Sequence, residues 1–365
     1  MRYLRHLLLA FVIVSCGGDQ QVESPSTASI QISSLTRFVC STNCLNVRDF
    51  GAFGDGRSHV LSQQDITQYG WNGKYQKGDE WDTVAISEAH EQAVAGMTVY
   101  VPTGTYLIWR KDFGASIKVN KGFDLKSGVA LLGDRSVLIH PQAPSMLYLK
   151  YEYPRSYSNI IIEGFIFTHM GLDFDGSWHN MAVRNLTLKN CEFLNGLNPS
   201  AVTTSKMPHV AVAYANNFTI ENCRFVRDSG YIGRGITIYK SHDVTIRGNS
   251  FDNSQNQGGF FVTAINVNGT RVRFQSGTQS TDPQLPILES SGKASILDDD
   301  WNKNIVIENN NLNRSSAGSF LQDQGIYTWG FDGLVIRNNV INGWGYFSGL
   351  GAIKVRDGQN ALIES

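Results

Sequence analysis

Lys354 and Arg356 stand two residues apart in Ile353-Lys354-Val355-Arg356, so in an extended chain both cations leave from one face while Ile353 and Val355 leave from the other. The same alternation pairs Tyr327 with Trp329 and Asn266 with Asn268, and sets Tyr239 beside Thr237 with Lys240 directly after it. These residue types suit one kind of chemistry. A guanidinium pairs with a carboxylate, an amine or phenol moves a proton, an aromatic ring covers the apolar face of a pyranose, and amides bond hydroxyls. Elimination from a uronic-acid sugar needs such a set, because the C6 carboxylate must be neutralised, the C5 proton removed and the departing C4 oxygen protonated. Arg356 is assigned to the carboxylate, Lys354 to the C5 proton, and Tyr327 to proton donation or sugar stacking. Tyr239, Lys240, Asn266, Asn268, Trp329 and His179 are assigned to substrate contact.

Hydrolysis is the rival chemistry and requires two carboxyl groups about 5 to 9.5 Å apart across the scissile bond. Its candidates are Asp298, Asp299 and Asp300, with Asp323 and Asp357. The acidic triplet also suits calcium, a hard cation that takes oxygen ligands; no other cofactor is called for. Neither the histidines nor the remaining cysteine pairs, Cys40 with Cys44 and Cys191 with Cys223, have zinc-site spacing. Nucleotide-binding glycine loops are absent from the sequence. A formal net charge of −1 over 365 residues gives no argument for a nucleic-acid partner.

The elements that position these residues repeat. Phrases beginning at Asn159 (NIIIEGFIF), Asn185 (NLTLKNCEF), Asn217 (NFTIENCRF), Asp243 (DVTIRGNSF), Asn304 (NIVIENNNL), Gly333 (GLVIRNNVI) and Asn360 (NALIES) are separated by 26, 32, 26, 61, 29 and 27 residues. Strand periodicity at that repeat length predicts a solenoid whose coils stack on a shared core. Counting back from each phrase, Val210 and Val212, Ile236 and Ile238, Ile326 and Thr328, and Ile353 and Val355 point inward. The residues between and after them then line up outside: Ala211 and Ala213, Thr237 and Tyr239, Asn266 and Asn268, Tyr327 and Trp329, Lys354 and Arg356. Cys191 and Cys223 fall where later copies carry Asn249, Asn310 and Asn339, which predicts one ladder at a turn with buried thiols; Cys40 and Cys44 are close enough in sequence to bridge.

Residues 46–56, NVRDFGAFGDG, resemble the N-terminal signature of the pectate-lyase-like superfamily. Asp82-Thr83-Val84-Ala85-Ile86 resembles its capping helix, and Val99-Tyr100-Val101-Pro102-Thr103-Gly104-Thr105-Tyr106 the strand that follows. The resemblance covers roughly residues 45–365 and implies an all-β chain, a right-handed parallel β-helix with a short N-terminal capping helix. Asp82 is the expected N-cap, and Ala85, Ile86, Ala89 and Ala93 recur at helical spacing. The insertion from Arg57 to Trp81, with Tyr69, Trp71 and Tyr75, reads as a loop over the binding face. The run around Lys240 also resembles the Lys-Ser strand of the alginate lyase and chondroitinase B family, but Asn266-Val267-Asn268-Gly269 lacks the Arg and His that follow there. Members of the superfamily act on extended acidic polysaccharides as lyases or hydrolases of the polygalacturonase or carrageenase type, or serve as non-catalytic glycan-binding surface proteins.

At the N-terminus, Arg2 and Arg5 precede the apolar run Leu7 to Val14, too short for a bilayer span and shaped like a signal peptide. Ile13-Val14-Ser15-Cys16 looks like a bacterial lipobox, which implies lipidation at Cys16 and a membrane partner. The expected organisation is a lipoprotein signal in 1–16, a flexible tether in 17–36 and the helix in 37–365, truncated or uncapped at its C-terminal end. It implies a monomer on the outer membrane or cell surface, with secretion or a periplasmic location as the alternative.

Overall fold

Every copy of the repeated phrase opens on a residue with left-handed backbone: φ is 57° at Asn159, 52° at Asn185, 58° at Asn217, 53° at Asp243, 51° at Asn304, 79° at Gly333 and 57° at Asn360. Asn, Asp and Gly are the residues that enter this region at least cost, which explains the composition of the phrase start. The computed structural model describes residues 40, 43–109, 120–121, 125–139, 147–148, 157–175, 183–194, 208–227, 232–252, 260–269, 273–274, 287–288, 301–313, 324–344 and 351–364. Cys16, the 17–36 tether, His179, Asp298 to Asp300 and Asp323 lie outside them.

After each left-handed corner the strands run parallel and in register, as the repeat predicts. One inward column joins Ile160, Leu186, Phe218, Val244, Ile305 and Leu334, and a second joins Ile162, Leu188, Ile220, Ile246, Ile307 and Ile336, all buried; on the last described rung their partners Ala361 and Ile363 are exposed. On another side Phe167, Phe193, Phe225 and Phe251 stack with centroids 4.9, 5.0 and 4.8 Å apart. The outer edge of the first corner carries its own ladder. Asn185 donates its amide to Asn159 at 2.9 Å, Asn217 to Asn185 at 2.8 Å and Asn304 to Asp243 at 2.9 Å.

The third side carries the residues singled out for chemistry. Its strands are β1 (Leu172–Asp175), β2 (Pro208–Ala213), β3 (Ile232–Tyr239), β4 (Phe260–Asn268), β5 (Gln324–Arg337) and β6 (Ile353–Glu364), each paired in parallel with the next. His209 lies within β2 and is fully buried between Phe193 and Phe225.

The N-terminal end is closed by a helix, α2 (Trp81–Gln92), preceded by the shorter α1 (Gln63–Gln68). Ala85, Ile86, Ala89 and Ala93 are fully buried in the main core, as their spacing predicts. Asp82 is not the N-cap. Glu80 occupies that position without a side-chain capping bond to the helix; its carboxylate accepts from Ser58 and His59 instead. The Asp82 carboxylate instead accepts from the N–H groups of Phe53, Gly54 and Leu107 at 2.7, 3.1 and 3.0 Å, tying the signature loop and the following strand to the helix. Its burial raises the pKa while these three donors oppose the rise. The insertion is not a loop over the binding face either: Leu61, Ile66 and Tyr75 pack with Val84 into a satellite core, and Tyr75 bonds Glu88 of α2 at 2.5 Å. Aromatic and apolar residues at Ile66, Trp71 and Tyr75 find a partner in the outer side of α2, so the segment folds back on the cap.

Cys40 and Cys44 form a disulfide with 5.3 Å between Cα atoms, while Cys191 and Cys223 are free and buried. The asparagines that follow them show what this ladder does. Asn249, Asn310 and Asn339 each accept from the backbone N–H one coil earlier, on Cys223, Asn249 and Asn310, at 2.9, 2.9 and 3.0 Å. Each also donates to a carbonyl of the earlier coil, Ile220, Ile246 and Ile307, at 3.0, 3.0 and 2.8 Å. A thiol has neither the reach nor the donor strength to do both. Cys223→Asn should therefore extend the ladder and raise the unfolding free energy by about 1 kcal/mol in urea denaturation; a lower midpoint would mean this rung has no room for the amide.

His90 on α2 is 2% exposed, and burial, with Lys126 nearby, holds its pKa down to about 4 against an ordinary 6.5. The unfolded chain then takes up a proton through a pH range in which the folded chain does not. This contribution is complete above about pH 6.5 and is lost as pH falls towards 4, amounting to about 3 kcal/mol. His209 carries the same sign, its pKa lowered by burial. Urea titrations at neutral and acidic pH should show this loss, with a shallower pH dependence in His90→Gln; an identical slope in both proteins would remove His90 as the cause.

Candidate binding strip and active site

Strand pairing places every described residue chosen for elimination or sugar contact on two adjacent columns, apart from Lys240; the hydrolysis candidate Asp357 is on neither. The first column runs Asp173, Ala211, Thr237, Asn266, Tyr327, Lys354. The second runs Asp175, Ala213, Tyr239, Asn268, Trp329, Arg356. Between them lies an inward column in which Val212, Ile238, Val267 and Thr328 are buried at 0 to 1% exposure. Parity across a pleated strand then sends the two flanking columns outward. Rungs are about 4.8 Å apart, so Tyr239 and Arg356 are separated by about 14 Å along the axis.

At the C-terminal end of the strip the proposed groups converge. Nη1 of Arg356 lies 3.5 Å from the Tyr327 hydroxyl, and Nζ of Lys354 lies 5.2 Å from the centre of the Tyr327 ring. Trp329 is tilted against Tyr327 at 4.7 Å, and its indole N–H donates to the Gly269 carbonyl at 3.0 Å, which fixes the ring plane. Arg356 is exposed, while Lys354, Tyr327 and Trp329 are half-buried. Asp357, next in sequence, reaches Arg356 only at 3.9 Å.

Farther along, Tyr239 is half-buried, and Nζ of Lys240 sits 5.3 Å from its ring centre. Lys240 is on neither column. Its φ of 43° puts it at the corner ending β3, so its ammonium reaches the strip only along the edge of Tyr239. Asn266 differs from expectation more sharply: it is on the outward column, yet its exposure is 0% and both amide atoms lack partners. The Asn268 Oδ1 is likewise buried without a partner, as is the Thr237 hydroxyl. Each such group carries a desolvation cost of about 1 to 3 kcal/mol when left unmade. His179 lies outside the described residues; on the first rung of the strip Asp173 faces outward between the buried Leu172 and Phe174. The alternation Leu172-Asp173-Phe174-Asp175 was legible; counting back a fixed number of residues from Asn185 missed it because residues 176–182 intervene.

A further cation, Arg234, lies on β3, where the pairing with β4 slips by one residue between Gly233 and Arg234. A Cβ on Gly235 would meet the core ring of Phe251 at 2.5 Å, so Gly235 and the buried Ile236 both face the interior and the alternation of the strand is broken there. The Arg234 Nε is buried without a partner. Burial lowers the guanidinium pKa, and the field of Tyr327 opposes that shift. The buried Arg227 donates from Nη2 to the Arg234 carbonyl at 2.8 Å and braces the slipped segment. Among the described residues no group of three or more His, Cys, Asp or Glu side chains is placed to hold a metal ion.

Solved structures similar to this chain match it at low identity. The surface adhesin PfbA of Streptococcus pneumoniae is 16% identical, covering 87% of this chain and 83% of its own, with a TM-score of 0.38. The A-module of the Azotobacter vinelandii mannuronan C-5 epimerase AlgE6 is 16% identical, covering 87% and 98%, with a TM-score of 0.38. A hyperthermoactive exopolygalacturonase from Thermotoga maritima is 14% identical, covering 90% and 93%, with a TM-score of 0.34. No curated protein matches the sequence. These likenesses say nothing about activity. The family described as the right handed beta helix region matches residues 111–274, and the parallel rungs continue in register to Glu364: the chain is a right-handed parallel β-helix.

Proposed function

We propose that the strip binds an extended acidic polysaccharide and that Arg356, Lys354 and Tyr327 cleave it by β-elimination. The observation that carries this reading is the convergence of two cations on one phenol, with the Arg356 guanidinium 3.5 Å from the Tyr327 hydroxyl and the Lys354 ammonium beside its ring. Arg356 pairs with the C6 carboxylate and makes the C5–H more acidic. The Lys354 amine takes the C5 proton, the electron pair closes the C4–C5 double bond, and the C4–O bond breaks. The Tyr327 hydroxyl supplies a proton to the leaving oxygen. Trp329, fixed by its bond to Gly269, presents a ring to the neighbouring sugar. Lipidation at Cys16 would hold this strip at the cell envelope.

Incubation with polygalacturonate, alginate and sulfated galactans should release products with the ultraviolet absorbance of an unsaturated uronate. Lys354→Ala and Arg356→Ala should each lower turnover by about 10²-fold or more, with thermal midpoints close to the parent's because both side chains lie at the surface of the last described coil. Tyr327→Phe keeps the ring and separates proton donation from stacking. New reducing ends without that absorbance would replace elimination by hydrolysis. Binding without new ends would leave a glycan-capturing surface protein, and unchanged turnover in both cation variants would reject this site.

A further inference from the structure

Cys191 and Cys223 stand on successive rungs of a ladder whose later members show where such a position aims its side chain. Strand pairing on either side, Lys189 with Glu221 and Glu192 with Arg224, sets the two cysteines opposite each other. Rungs about 4.8 Å apart fall within the Cα separation of about 4.4 to 6.8 Å that a disulfide spans. On the later coils the side chains at this corner run along the solenoid axis. Asn249 Nδ2 donates to Asn310 Oδ1 at 3.0 Å, and Asn310 Nδ2 donates to Asn339 Oδ1 at 2.9 Å. Cys223 also reaches across to its neighbouring coil. Its Sγ lies 3.8 Å from the Leu188 carbonyl one coil earlier, as Asn249 Nδ2 lies 3.0 Å from the carbonyl of Ile220. Both cysteines are 2% exposed, and the Cys40–Cys44 bridge shows that a disulfide already belongs to the folded chain. We propose that Cys191 and Cys223, thiols in this structure, become joined by a disulfide when the chain folds in the presence of a disulfide oxidant, so that the ladder continues through a covalent rung.

The bond forms in two exchange steps. The thiolate of one cysteine attacks a sulfur of the oxidant, a glutathione-type disulfide or the disulfide of an oxidoreductase, giving a mixed disulfide and releasing one thiolate. The thiolate of the other cysteine then attacks the protein sulfur of that mixed disulfide, closing Cys191–Cys223 and releasing the second thiolate. The oxidant is reduced by two electrons, and the two thiol protons end on its released halves. Burial raises the Cys223 thiol pKa well above its ordinary value, and only the thiolate reacts. Closure therefore belongs to folding, before the coils cover the pair, and the finished bond is shielded from reductant. It ties segments 32 residues apart in sequence, whose register is already held by the Glu192–Arg224 ion pair and the Phe193–Phe225 stack. A cross-link over such a loop stabilises by restricting the unfolded chain. The gain expected of Cys223→Asn belongs to the dithiol form; against the bridged parent the same substitution removes the cross-link and lowers the urea midpoint.

Refolding the full chain from urea in glutathione buffers of graded oxidation tests this, with alkylation in denaturant and peptide mass mapping of the products. The oxidised end of the series should yield a peptide pair linked through Cys191 and Cys223 beside the Cys40–Cys44 bridge, with alkylation lost at both buried positions. The bridged form should unfold at a urea midpoint higher than the dithiol form by on the order of 1 M. That difference should vanish when Cys191→Ser and Cys223→Ser are combined, and persist when Cys40→Ser and Cys44→Ser are combined. The peptide map of the parent decides the pairing even where a variant does not refold. Chain that closes Cys40–Cys44 yet leaves Cys191 and Cys223 open to alkylation would overturn the proposal. So would either residue paired with any other cysteine, or thiols at both pairs in the most oxidised buffer. A bridged form with a midpoint no higher than that of the dithiol form would also overturn it, because the bond would then not fit the native ladder.

Discussion

Parity along the strands is the constraint on which the strip depends, and the left-handed corners maintain it. A regular strand alternates its faces, so an error of one residue within β5 or β6 would turn Tyr327 and Lys354 inward and Thr328 and Val355 outward. The chain prevents this by ending each run at a residue with positive φ and starting the next coil afresh: Asn159, Asn185, Asn217, Asp243, Asn304 and Asn360 at one corner, Asn190, Asn222, Asn309 and Asn338 at another. Side-chain amides then tie successive corners together, so register errors cost hydrogen bonds as well as packing. Because register is reset within each coil, the loops between coils can differ in length without disturbing the columns. The step of 61 residues between Asp243 and Asn304 is absorbed in this way, with Val244 still paired to Ile305.

Much of this was legible because it follows from period two and from the few residue types that enter the left-handed region. The inward column through Val210, Ile236, Ile265, Ile326 and Ile353 follows directly from counting back along apolar alternation. The cap helix was legible from Ala85, Ile86, Ala89 and Ala93, but the part played by Asp82 was not. An acid at the start of a helix has the composition of an N-cap, and only the approach of Phe53, Gly54 and Leu107 from elsewhere in the chain converts it into a tertiary anchor. The insertion was misread for a similar reason. Aromatic residues in a long connection look like a binding loop until their packing partner, here the outer side of α2, is known.

The strip itself divides along the same line. Which side chains share a column is a one-dimensional property, and Tyr239, Tyr327, Trp329, Lys354 and Arg356 were placed correctly by it. How far each is covered is a three-dimensional property, and Asn266 at 0% exposure shows that an outward residue need not be an exposed one. Arg234 escaped notice because it lies beyond the corner-proximal positions, where a slipped pairing breaks the simple count, and Asp173 and Asp175 escaped because their coil carries extra residues before Asn185.

The charged residues at the two ends of these columns are of opposite sign, with Asp173 and Asp175 on β1 and Lys354 and Arg356 on β6. Charge arranged this way along an axis has a direction. A polymer whose reducing and non-reducing termini differ, and whose negative groups are repelled by one extremity and drawn to the other, meets a track with a preferred heading. On the proposed reading, such a surface would sort the polarity of its ligand before any bond is broken, and would determine which fragment leaves over the acidic side and which remains against the cations.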